Sequence, residues 1–454
     1  MNFRSLLVLL LALAFEAQAQ RGPILDRNGE PLTDKLETER SYPLGALGAH
    51  FIGYAEREDG KFVGRMGVEE EFDEVLASLG EVKLTIDARI QWVAEEAMRE
   101  VGRGAAVVLD PHTGEILASV SVPSFNPNFA VDEMDRYLKD KSAPLHDRVH
   151  EAISPGSTFL VPVALAGMRS DVHKKSFFCA GGVHYGKKFM KCWIASKGGR
   201  HGTVDLSEGL KRSCNCFFYQ YGNDTGMQDI VETADLMGFG VPGRNGRPGM
   251  VPTPDWLKTQ GHDWSDAYTA MTSIGQGYIE ATPLQMASVA GTVAAKGKTY
   301  EPRFIKSVED ANGKVLVEDK PVLRSDLTEH GIAVEDVELV AEGMWKVVHE
   351  DGGTARLARS EEIEIVGRTG TAQTGIPSEP TNAWFIAFGP YKDPKFAVCV
   401  LVRNGHSGGR VAAPIARRIL ERASMVTEKE GFEPSSMHEA EGHFDLIREV
   451  KFPD

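Results

Sequence analysis

The spacing of apolar and polar residues predicts a helix followed by a hairpin in the first third of the chain. Residues 87–101 repeat apolar side chains at helical spacing behind Asp87, which stands where a helix N-cap is expected. Residues 105–109 and 115–122 are two apolar runs, and the Asp-Pro-His-Thr-Gly segment between them is a turn signal. We therefore predict that the helix leads into the first two strands of an antiparallel sheet.

The middle of the chain is patterned as helices and its last part as strands. Residues 157–300 are mostly helical in pattern, with clear helices at 204–222 and 283–295. Later segments predict three strands and then a closing helix, at residues 363–371, 383–388, 396–402 and 412–425. Because strands at both ends enclose helices, we expect an α/β unit whose sheet is completed by segments distant in sequence.

A smaller region precedes this unit. Residues 21–29 form a short apolar run that ends in Asp-Arg-Asn-Gly, a hairpin-turn signal, and residues 82–86 predict another strand. The chain has 454 residues, which exceeds what one hydrophobic core usually fills, so two folded units are expected. With 42% hydrophobic and 25% charged residues, the composition is that of an ordinary globular protein.

The formal net charge of -15 argues against a nucleic-acid partner. The sequence offers no basic stripe that could displace the counterions of a phosphate backbone. Residues 426–454 hold eight acidic and three basic residues and lack apolar periodicity outside residues 444–447. We predict that this last segment is a solvated, disordered tail.

The first residues are organised as an export signal. Arg4 precedes the apolar run 6–15, and Ala17-Gln18-Ala19 offers the small-x-small pattern of a cleavage site. The apolar run is about half of the roughly 20 residues needed to span a bilayer. We predict a signal peptide over residues 1–19, with an uncleaved short anchor as the alternative, and no later transmembrane helix.

The five cysteines suggest a disulfide. Cys179 and Cys192 bracket a glycine-rich, aromatic segment patterned as a hairpin, and an exported protein meets an oxidising compartment. We predict a bridge between these two and no metal site. A zinc site that adds His184 or His201 is the less favoured alternative, because the paired Cys-x-x-Cys spacing is absent. Cys214 and Cys216 are expected to line a packed helix.

Three short segments carry the candidate chemistry. Residues 154–168 begin Ser-Pro-Gly-Ser and continue with small and apolar residues, which predicts a buried helix with Ser157 in its first turn. A serine beside Pro-Gly is more often a helix cap than a nucleophile. However, Ser213-Cys214-Asn215 and Arg368-Thr369-Gly370-Thr371 follow later in the chain. Together the three segments match the signature of serine enzymes that react with penicillin.

With these motifs, the chain resembles the class B penicillin-binding proteins, the monofunctional peptidoglycan D,D-transpeptidases, and is most similar to the elongation type. The resemblance is spread along nearly the whole of residues 21–425, in blocks at 21–29, 84–91, 105–127, 155–159, 192–220, 274–286, 367–373, 383–389 and 412–420. It implies an α/β fold with an antiparallel five-stranded sheet flanked by helices, a mostly helical subdomain, and a small pedestal domain in front.

Family members usually carry a long pedestal insert, which is shortened in this chain. The domains implied by the resemblance are therefore a truncated pedestal or dimerisation-like domain at residues 20–103 and a transpeptidase domain at residues 104–425. They lie between the signal peptide at 1–19 and the acidic tail at 426–454.

In the family's first motif, Ser-x-x-Lys, the serine attacks a stem-peptide carbonyl and the lysine takes its proton. Ser157 matches the serine, but Leu160 stands at the lysine position, and no lysine lies between residues 142 and 173. In the second motif, the resemblance implies that Ser213 relays a proton to the leaving group and that Asn215 orients the substrate. The alternative is that both side chains only satisfy backbone groups of a helix.

The third motif is usually Lys-Thr-Gly-Thr, and Arg368 replaces its lysine. The strand with Thr369, Gly370 and Thr371 is expected to pair with the substrate backbone and hold its terminal carboxylate. Arg368 keeps the positive charge and would grip a carboxylate as a planar fork, but it cannot act as a base. The resemblance also implies an oxyanion hole made by the backbone amides of Ser157 and Thr371.

These departures predict a protein of cell-wall synthesis that binds D-Ala-D-Ala stem peptides and β-lactams but is catalytically impaired. A positioned general base contributes roughly 10²- to 10⁴-fold to a rate. The alternatives are an active D,D-transpeptidase and a non-catalytic scaffold that binds a partner in cell-wall assembly. A β-lactam hydrolase is weaker, because no acidic base for deacylation is identifiable. The resemblance implies no cofactor, export to the periplasm or outer face of the cytoplasmic membrane, and a glycosyltransferase or other assembly protein as partner.

Overall fold

The computed structural model describes residues 20–34, 39–240 and 248–428. At its centre lies a five-stranded antiparallel sheet, whose strands in spatial order are Val366–Ala372, Asn382–Gly389, Phe396–Val402, Gly104–Leu109 and Ile116–Val122. The predicted hairpin at residues 105–122 and the three predicted late strands are thus confirmed. Phe396–Val402 is apolar and buried at every position because both faces of the sheet are covered.

Helices cover the two faces of this central sheet. Pro283–Ala294 packs on one face, and a capping box between Thr282 and Gln285 fixes its start. Ala88–Met98, capped by Asp87 as predicted, covers the other face together with Ala413–Glu428. The closing helix was predicted to end at residue 425, and its last three residues therefore belong to the fold and not to the tail.

A helical subdomain lies beside the edge strand Val366–Ala372. Its helices are Leu160–Ala166, Leu206–Arg212, Asn215–Thr225, Met227–Leu236, Pro254–Thr259, Asp266–Thr272 and Val334–His349. The single helix predicted over residues 204–222 is wrong, because the chain breaks at Ser213, whose φ of 54° is left-handed. No glycine or proline marks this break in the sequence, so periodicity alone could not find it.

The first region is built around a second sheet. Its four strands in spatial order are Ile24–Leu25, Glu81–Leu84, Ile305–Glu309 and Val315–Glu318. Short helices and a hairpin complete the region, at Ala49–Ile52, Gly67–Glu71, Asp73–Ala77, Ala55–Glu58 and Lys61–Gly64. Two of the four strands thus come from residues beyond 300. The division of the chain at residue 103 stays a prediction.

The remaining helices and strands are small. They are the helix Ala130–Lys139, the hairpin Gly182–Tyr185 with Lys188–Lys191, and the strand pairs Phe177–Cys179 with Gly202–Val204 and Lys298–Tyr300 with Leu323–Asp326. No helix in the described ranges has the length and apolar character needed to cross a membrane. The predicted signal peptide at 1–19 and the tail from residue 429 onward lie outside the described residues.

Candidate active site

Ser157 lies in a turn that approaches the edge strand of the central sheet closely. The turn Gly156–Phe159 leads directly into helix Leu160–Ala166. A Cβ at Gly370 would lie 2.7 Å from the carbonyl oxygen of Pro155, so glycine at this strand position permits the approach. In the part of the chain that the structure describes, the Ser157 hydroxyl forms no hydrogen bond with another side chain.

Leu160 follows Ser157 by one helical turn and is fully buried in the hydrophobic core. The other residues of Leu160–Ala166 are apolar and buried as well. Leu160 therefore contributes packing, and its turn of the helix presents no group that could accept a proton. A serine hydroxyl without a neighbouring base is a weak nucleophile.

Ser213 and Asn215 meet Ser157 across a cleft because the helix breaks between them. Ser213 ends helix Leu206–Arg212 in the left-handed conformation, and Asn215 is the first residue of helix Asn215–Thr225. This geometry turns both motif residues toward the cavity that Ser157 also lines. The structure thus brings together the serines of the first two motifs, as the resemblance implied.

Arg368 is fully buried beneath these serines. Its Nη2 donates to Ser213 Oγ at 2.7 Å, its Nη1 to the carbonyl oxygen of Leu210 at 2.8 Å, and its Nε to the carbonyl oxygen of Ser157 at 3.0 Å. Burial lowers the pKa of Arg368 to about 9, and no carboxylate of the described residues forms an ion pair with it. The guanidinium still carries its charge at neutral pH.

This position corrects one expectation from the sequence. Arg368 was expected to grip the carboxylate of a ligand directly, but its side chain has no exposed surface and its donors already bond the protein. The reason is the direction of the strand: position 368 points toward the turn of Ser157, whereas Thr369 and Thr371 line the cleft. Arg368 therefore lies behind the cleft, where it fixes its hydrogen-bond partners and contributes a positive charge.

The edge strand presents hydroxyls and an open backbone edge to the cleft. Val366–Ala372 pairs with Asn382–Gly389 on one side only, and it ends the order of the central sheet. Thr369 and Thr354 share a hydrogen bond of 2.7 Å between their Oγ1 atoms, and Thr371 Oγ1 accepts from the amide of Gly408. An exposed strand edge of this kind can accept an extended peptide as an additional strand.

The cleft between these elements has a volume of about 1370 Å³. Its described lining includes Ser157, Ser213, Asn215, Thr369 and Thr371, but no aspartate or glutamate. No carboxylate of the described lining can therefore serve as a general base in place of the lysine. Nor can one activate a deacylating water molecule.

Sequence reasoning missed further residues of the cleft. Gln276 lines it, and the buried Nε2 of its side chain makes no hydrogen bond with the described residues. Trp193 donates from Nε1 to the carbonyl oxygen of Ser213 at 2.9 Å, which ties the hairpin at residues 182–191 to the second motif. Gln276 falls inside a block of resemblance, but a lone glutamine or tryptophan gives no chemical signal of its own.

The predicted disulfide is not formed. All five cysteines are free, and the Sγ atoms of Cys179 and Cys192 each lie 3.6 Å from Nδ1 of His201. Cys214 joins them, and the four donor atoms lie within 4.8 Å of one another. Three segments of the chain and the second motif therefore converge on one point, which sequence spacing could not show.

This cluster fits a zinc ion better than a bridge. Thiolate and imidazole donors in a set of four are the usual ligands of a structural, tetrahedral Zn²⁺. Hydrogen bonds from the thiols of Cys214 and Cys216 lower the pKa of Cys192, so that a thiolate is favoured there. His184 is not part of this cluster, and its ring lies against that of Phe189, with 4.7 Å between the ring centres. Cys179, Cys192, His201 and Cys214 could thus hold a metal, which reverses the order of preference drawn from the sequence.

A comparison with protein families matches residues 104–421 to the model described as the penicillin binding protein transpeptidase domain. Among curated relatives, the peptidoglycan D,D-transpeptidase MrdA of Haemophilus influenzae is 29% identical, over 84% of this chain and 69% of the relative. The peptidoglycan D,D-transpeptidase PbpA of Mycobacterium tuberculosis is 31% identical, over 76% of this chain and 72% of the relative.

Solved structures give the same result for the fold. The crystal structure of Pseudomonas aeruginosa PBP2 in complex with WCK 5153 has a TM-score of 0.79 and 30% identity, and the match covers 91% of this chain and 97% of that one. Penicillin-binding protein A from M. tuberculosis, as a ceftriaxone acyl-enzyme complex, has a TM-score of 0.80 and 27% identity, with 90% and 99% covered. The antiparallel sheet with its helices is the fold that the sequence predicted.

Proposed function

The chain belongs to the penicillin-binding protein transpeptidase family, as a class B protein of the elongation type that serves cell-wall synthesis, and we propose that it binds peptides ending in D-Ala-D-Ala without efficient turnover. The cleft centred on Ser157 is the proposed binding site. β-Lactams are the second proposed class of ligand, because a relative forms an acyl-enzyme with ceftriaxone.

One observation carries the impaired catalysis: the turn after Ser157 offers Leu160, which is buried and apolar, where the family has a base. Loss of one member of a nucleophile–base unit costs on the order of 10⁴- to 10⁶-fold in rate. The second motif does not compensate, since Ser213 Oγ bonds the guanidinium of Arg368, which cannot take a proton from it. Both routes for moving the serine proton are therefore interrupted.

Binding is expected to survive this loss. Thr369, Gly370 and Thr371 lie on an open strand edge that can pair with a peptide, and the hydroxyls of the two threonines can hold its carboxylate. We place the oxyanion hole at the backbone amides of Ser157 and Thr371, both of which belong to residues lining the cleft. Such a hole still polarises a strained β-lactam carbonyl, so slow acylation of Ser157 is expected.

The setting of the protein is proposed on the same basis. We propose export through residues 1–19, a site of action in the periplasm or at the outer face of the cytoplasmic membrane, and a cell-wall assembly protein such as a glycosyltransferase as partner. The region up to residue 103 is proposed to be a shortened pedestal, next to a transpeptidase domain at 104–425. The match to relatives that are peptidoglycan D,D-transpeptidases supports this setting.

Labelling with a fluorescent penicillin tests the proposal. We expect slow labelling of the unmodified chain, none of Ser157→Ala, and labelling at least about 100-fold faster for Leu160→Lys, because a positioned base is restored. Mass spectrometry of the labelled peptide locates the acyl group. Rapid labelling of the unmodified chain on Ser157, unaffected by Leu160→Lys, would show that another group already serves as base and would overturn the proposal.

A further inference from the structure

One segment beside the cleft is strongly basic, although the protein as a whole is acidic. Residues 172–204 contain seven lysine and arginine residues and no aspartate or glutamate, whereas the whole chain has a net charge of -15. The hairpin Gly182–Tyr185 with Lys188–Lys191 lies in the middle of this segment. Positive charge is thus concentrated in one part of the chain and does not follow from the overall composition.

The basic segment supplies part of the lining of the candidate active-site cleft. Five cations line the same cavity as Ser157, namely Lys188, Lys191, Lys197, Arg356 and Arg410. No aspartate or glutamate occurs among the described lining residues, so the lining is electropositive. A cleft with one sign of charge concentrates ligands of the opposite sign.

These cations come from both sides of the cleft. The hairpin that carries Lys188 and Lys191 packs on helix Asn215–Thr225 of the helical subdomain. Arg410 lies in the helical turn Gly408–Ala412, which packs on the edge strand of the central sheet. A ligand that enters between the two sides therefore meets positive charge on each of them.

Most of this charge is not neutralised within the described structure. The three lysines of the lining and Arg410 are exposed, and none of them pairs with a carboxylate of the described residues. Arg356 differs, because its guanidinium lies 3.6 Å from a carboxylate oxygen of Asp351. Lys174 and Lys175, which do not line the cleft, each pair with an aspartate at 2.8 Å. The four unpaired cations of the lining are therefore available to a ligand.

Two contacts hold the hairpin beside the second motif. Tyr219 donates from its hydroxyl to the carbonyl oxygen of Lys191 at 3.1 Å. The next residue, Cys192, belongs with Cys214 to the cluster whose donor atoms lie within 4.8 Å of one another. Because Cys214 lies inside the second motif, the backbone at Lys191 has a fixed place next to the candidate active site.

The position of Lys197 is fixed through an aromatic ring. Its ammonium lies 5.2 Å from the centre of the Trp193 ring, which is a cation–π distance. Nε1 of Trp193 in turn donates to the carbonyl oxygen of Ser213 at 2.9 Å. Two successive contacts therefore place this cation relative to the second motif, unlike a lysine that is held only by solvent.

These cations are not needed to hold the end of a bound peptide. In the proposed function, the hydroxyls of Thr369 and Thr371 hold the terminal carboxylate. We propose that the cleft selects peptides with free carboxylates in the residues ahead of a D-Ala-D-Ala end, over peptides in which these carboxylates are amides. This inference rests on the proposed function, because it specifies the substrate class of the same site. The lining lysines are its specificity residues.

Four fluorescent pentapeptides test the proposal, titrated by anisotropy into the unmodified full chain. Two end in D-Ala-D-Ala and carry either two glutamates or two glutamines ahead of this end, and the other two end in L-Ala-L-Ala. With the D-Ala-D-Ala end, we expect the glutamate peptide to bind at least about fivefold tighter than the glutamine peptide at low salt. Each exposed ion pair contributes up to about fivefold, and two carboxylates meet several cations. The ratio should fall below about twofold at about 0.5 M salt, because salt screens exposed charges.

A matched pair of triple variants assigns the preference to the lining lysines. The cleft variant carries Lys188→Gln, Lys191→Gln and Lys197→Gln. The control variant carries Lys314→Gln, Lys320→Gln and Lys392→Gln, at exposed lysines outside the described lining. The cleft variant should lower the glutamate preference below about twofold and the control variant should keep it, because salt bridges act only at short range. Circular dichroism confirms that both variants are folded.

Two results would overturn this inference. One is equal binding of the glutamate and glutamine peptides with D-Ala-D-Ala ends by the unmodified chain. The other is an equal loss of the glutamate preference in the cleft and control variants. The first comparison uses no variant, so it decides the question even if a triple variant does not fold.

The ends of the peptides report separately on the proposed function. Equal binding of peptides with D-Ala-D-Ala and L-Ala-L-Ala ends would contradict the proposed function, and this inference with it. Tighter binding of the D-Ala-D-Ala peptides without any difference between glutamate and glutamine would support the proposed function and contradict this inference alone.

Discussion

The guanidinium of Arg368 and the hydroxyl of Ser213 are joined by a buried hydrogen bond of 2.7 Å. Arg368 is the donor, so Ser213 Oγ accepts and keeps its own proton for another partner. In a working relay this serine would exchange protons with an amine that can lose and regain them. With arginine in this place, a cation holds Ser213 in position by a hydrogen bond but does not exchange protons with it.

Restoring an amine at position 160 should produce a pH-dependent reaction. In Leu160→Lys, the introduced amine would start from a fully buried position, and burial lowers an amine's pKa. Because the neutral amine is the base, acylation by penicillin should rise with pH and level off below the ordinary lysine pKa of about 10.4. Stopped-flow labelling from pH 6 to pH 10 measures this profile. A rate independent of pH would contradict a base role for the amine.

Removing the guanidinium should destabilise the fold more than removing an exposed arginine. Arg368→Met leaves the carbonyl oxygens of Ser157 and Leu210 and the Ser213 hydroxyl without this donor. Each unsatisfied buried group costs about 1–3 kcal/mol, partly offset because an unpaired charge is no longer buried, and we expect a net loss of about 2 kcal/mol. Urea unfolding measures it.

Arg212→Met is the matched control for that measurement. Arg212 is 43% exposed at its side chain and pairs with Glu208 on the surface. Surface pairs contribute about 0–1 kcal/mol, so this variant should unfold at nearly the same urea concentration as the parent. Equal losses in the two variants would mean that the hydrogen bonds of Arg368 contribute little.

The thiol–imidazole cluster should bind one zinc ion per chain. Cys192→Ser removes a donor and should abolish stoichiometric zinc and lower the melting temperature, whereas Cys399→Ala, in the central sheet, should keep the zinc. Atomic absorption after dialysis and a melting curve with and without a chelator give the two readouts. If alkylation of the zinc-free, unreduced chain found two thiols fewer than its five cysteines provide, the disulfide first expected from the sequence would be indicated instead.

Glu95 should make stability fall as pH rises. Burial raises the pKa of this carboxyl to about 7, although it accepts hydrogen bonds from Gln91 and from the amide of Gly48. When folding raises the pKa of a carboxyl, protonation of that carboxyl stabilises the folded state relative to the unfolded state. The favourable contribution is therefore present below the unfolded pKa of about 4.3 and is lost as pH rises toward and through 7.

Glu95→Gln tests this, because glutamine resembles the protonated acid and does not titrate. The gap in unfolding free energy between the parent and this variant should shift by about 2–3 kcal/mol in favour of the variant between pH 5 and pH 8. Thermal unfolding in matched buffers provides the measurement. A gap that stays constant across this range would show that Glu95 titrates normally.

The elements that could be predicted from sequence were those whose residues carry their own local signal. The apolar runs at 105–122 and 396–402 and the capped helix after Asp87 are of this kind. Burial on both faces of a strand leaves a continuous apolar run, and burial on one face of a helix leaves a period of apolar residues. The break at Ser213 was missed because an αL serine has no compositional marker.

The site was predictable in its residue types but not in its contacts. Ser157, Ser213 and Thr369 were found by motif, and they do line one cleft. The burial of Arg368 was not foreseen, because arginine is usually exposed and only the register of the strand sends it inward. The convergence of Cys214 with Cys179 likewise depends on tertiary packing, which no spacing rule records.

The pairing of Ile305–Glu309 with Glu81–Leu84 has a consequence for how this protein can be divided. A chain that starts at residue 104 would keep the whole span that matches the family model. It would lack Glu81–Leu84, so Ile305–Glu309 would lose a paired strand, and it would lack Ala88–Met98, which covers one face of the central sheet. The exposed edge would invite self-association. The span that defines membership in the family is therefore shorter than the smallest piece that should fold and stay monomeric.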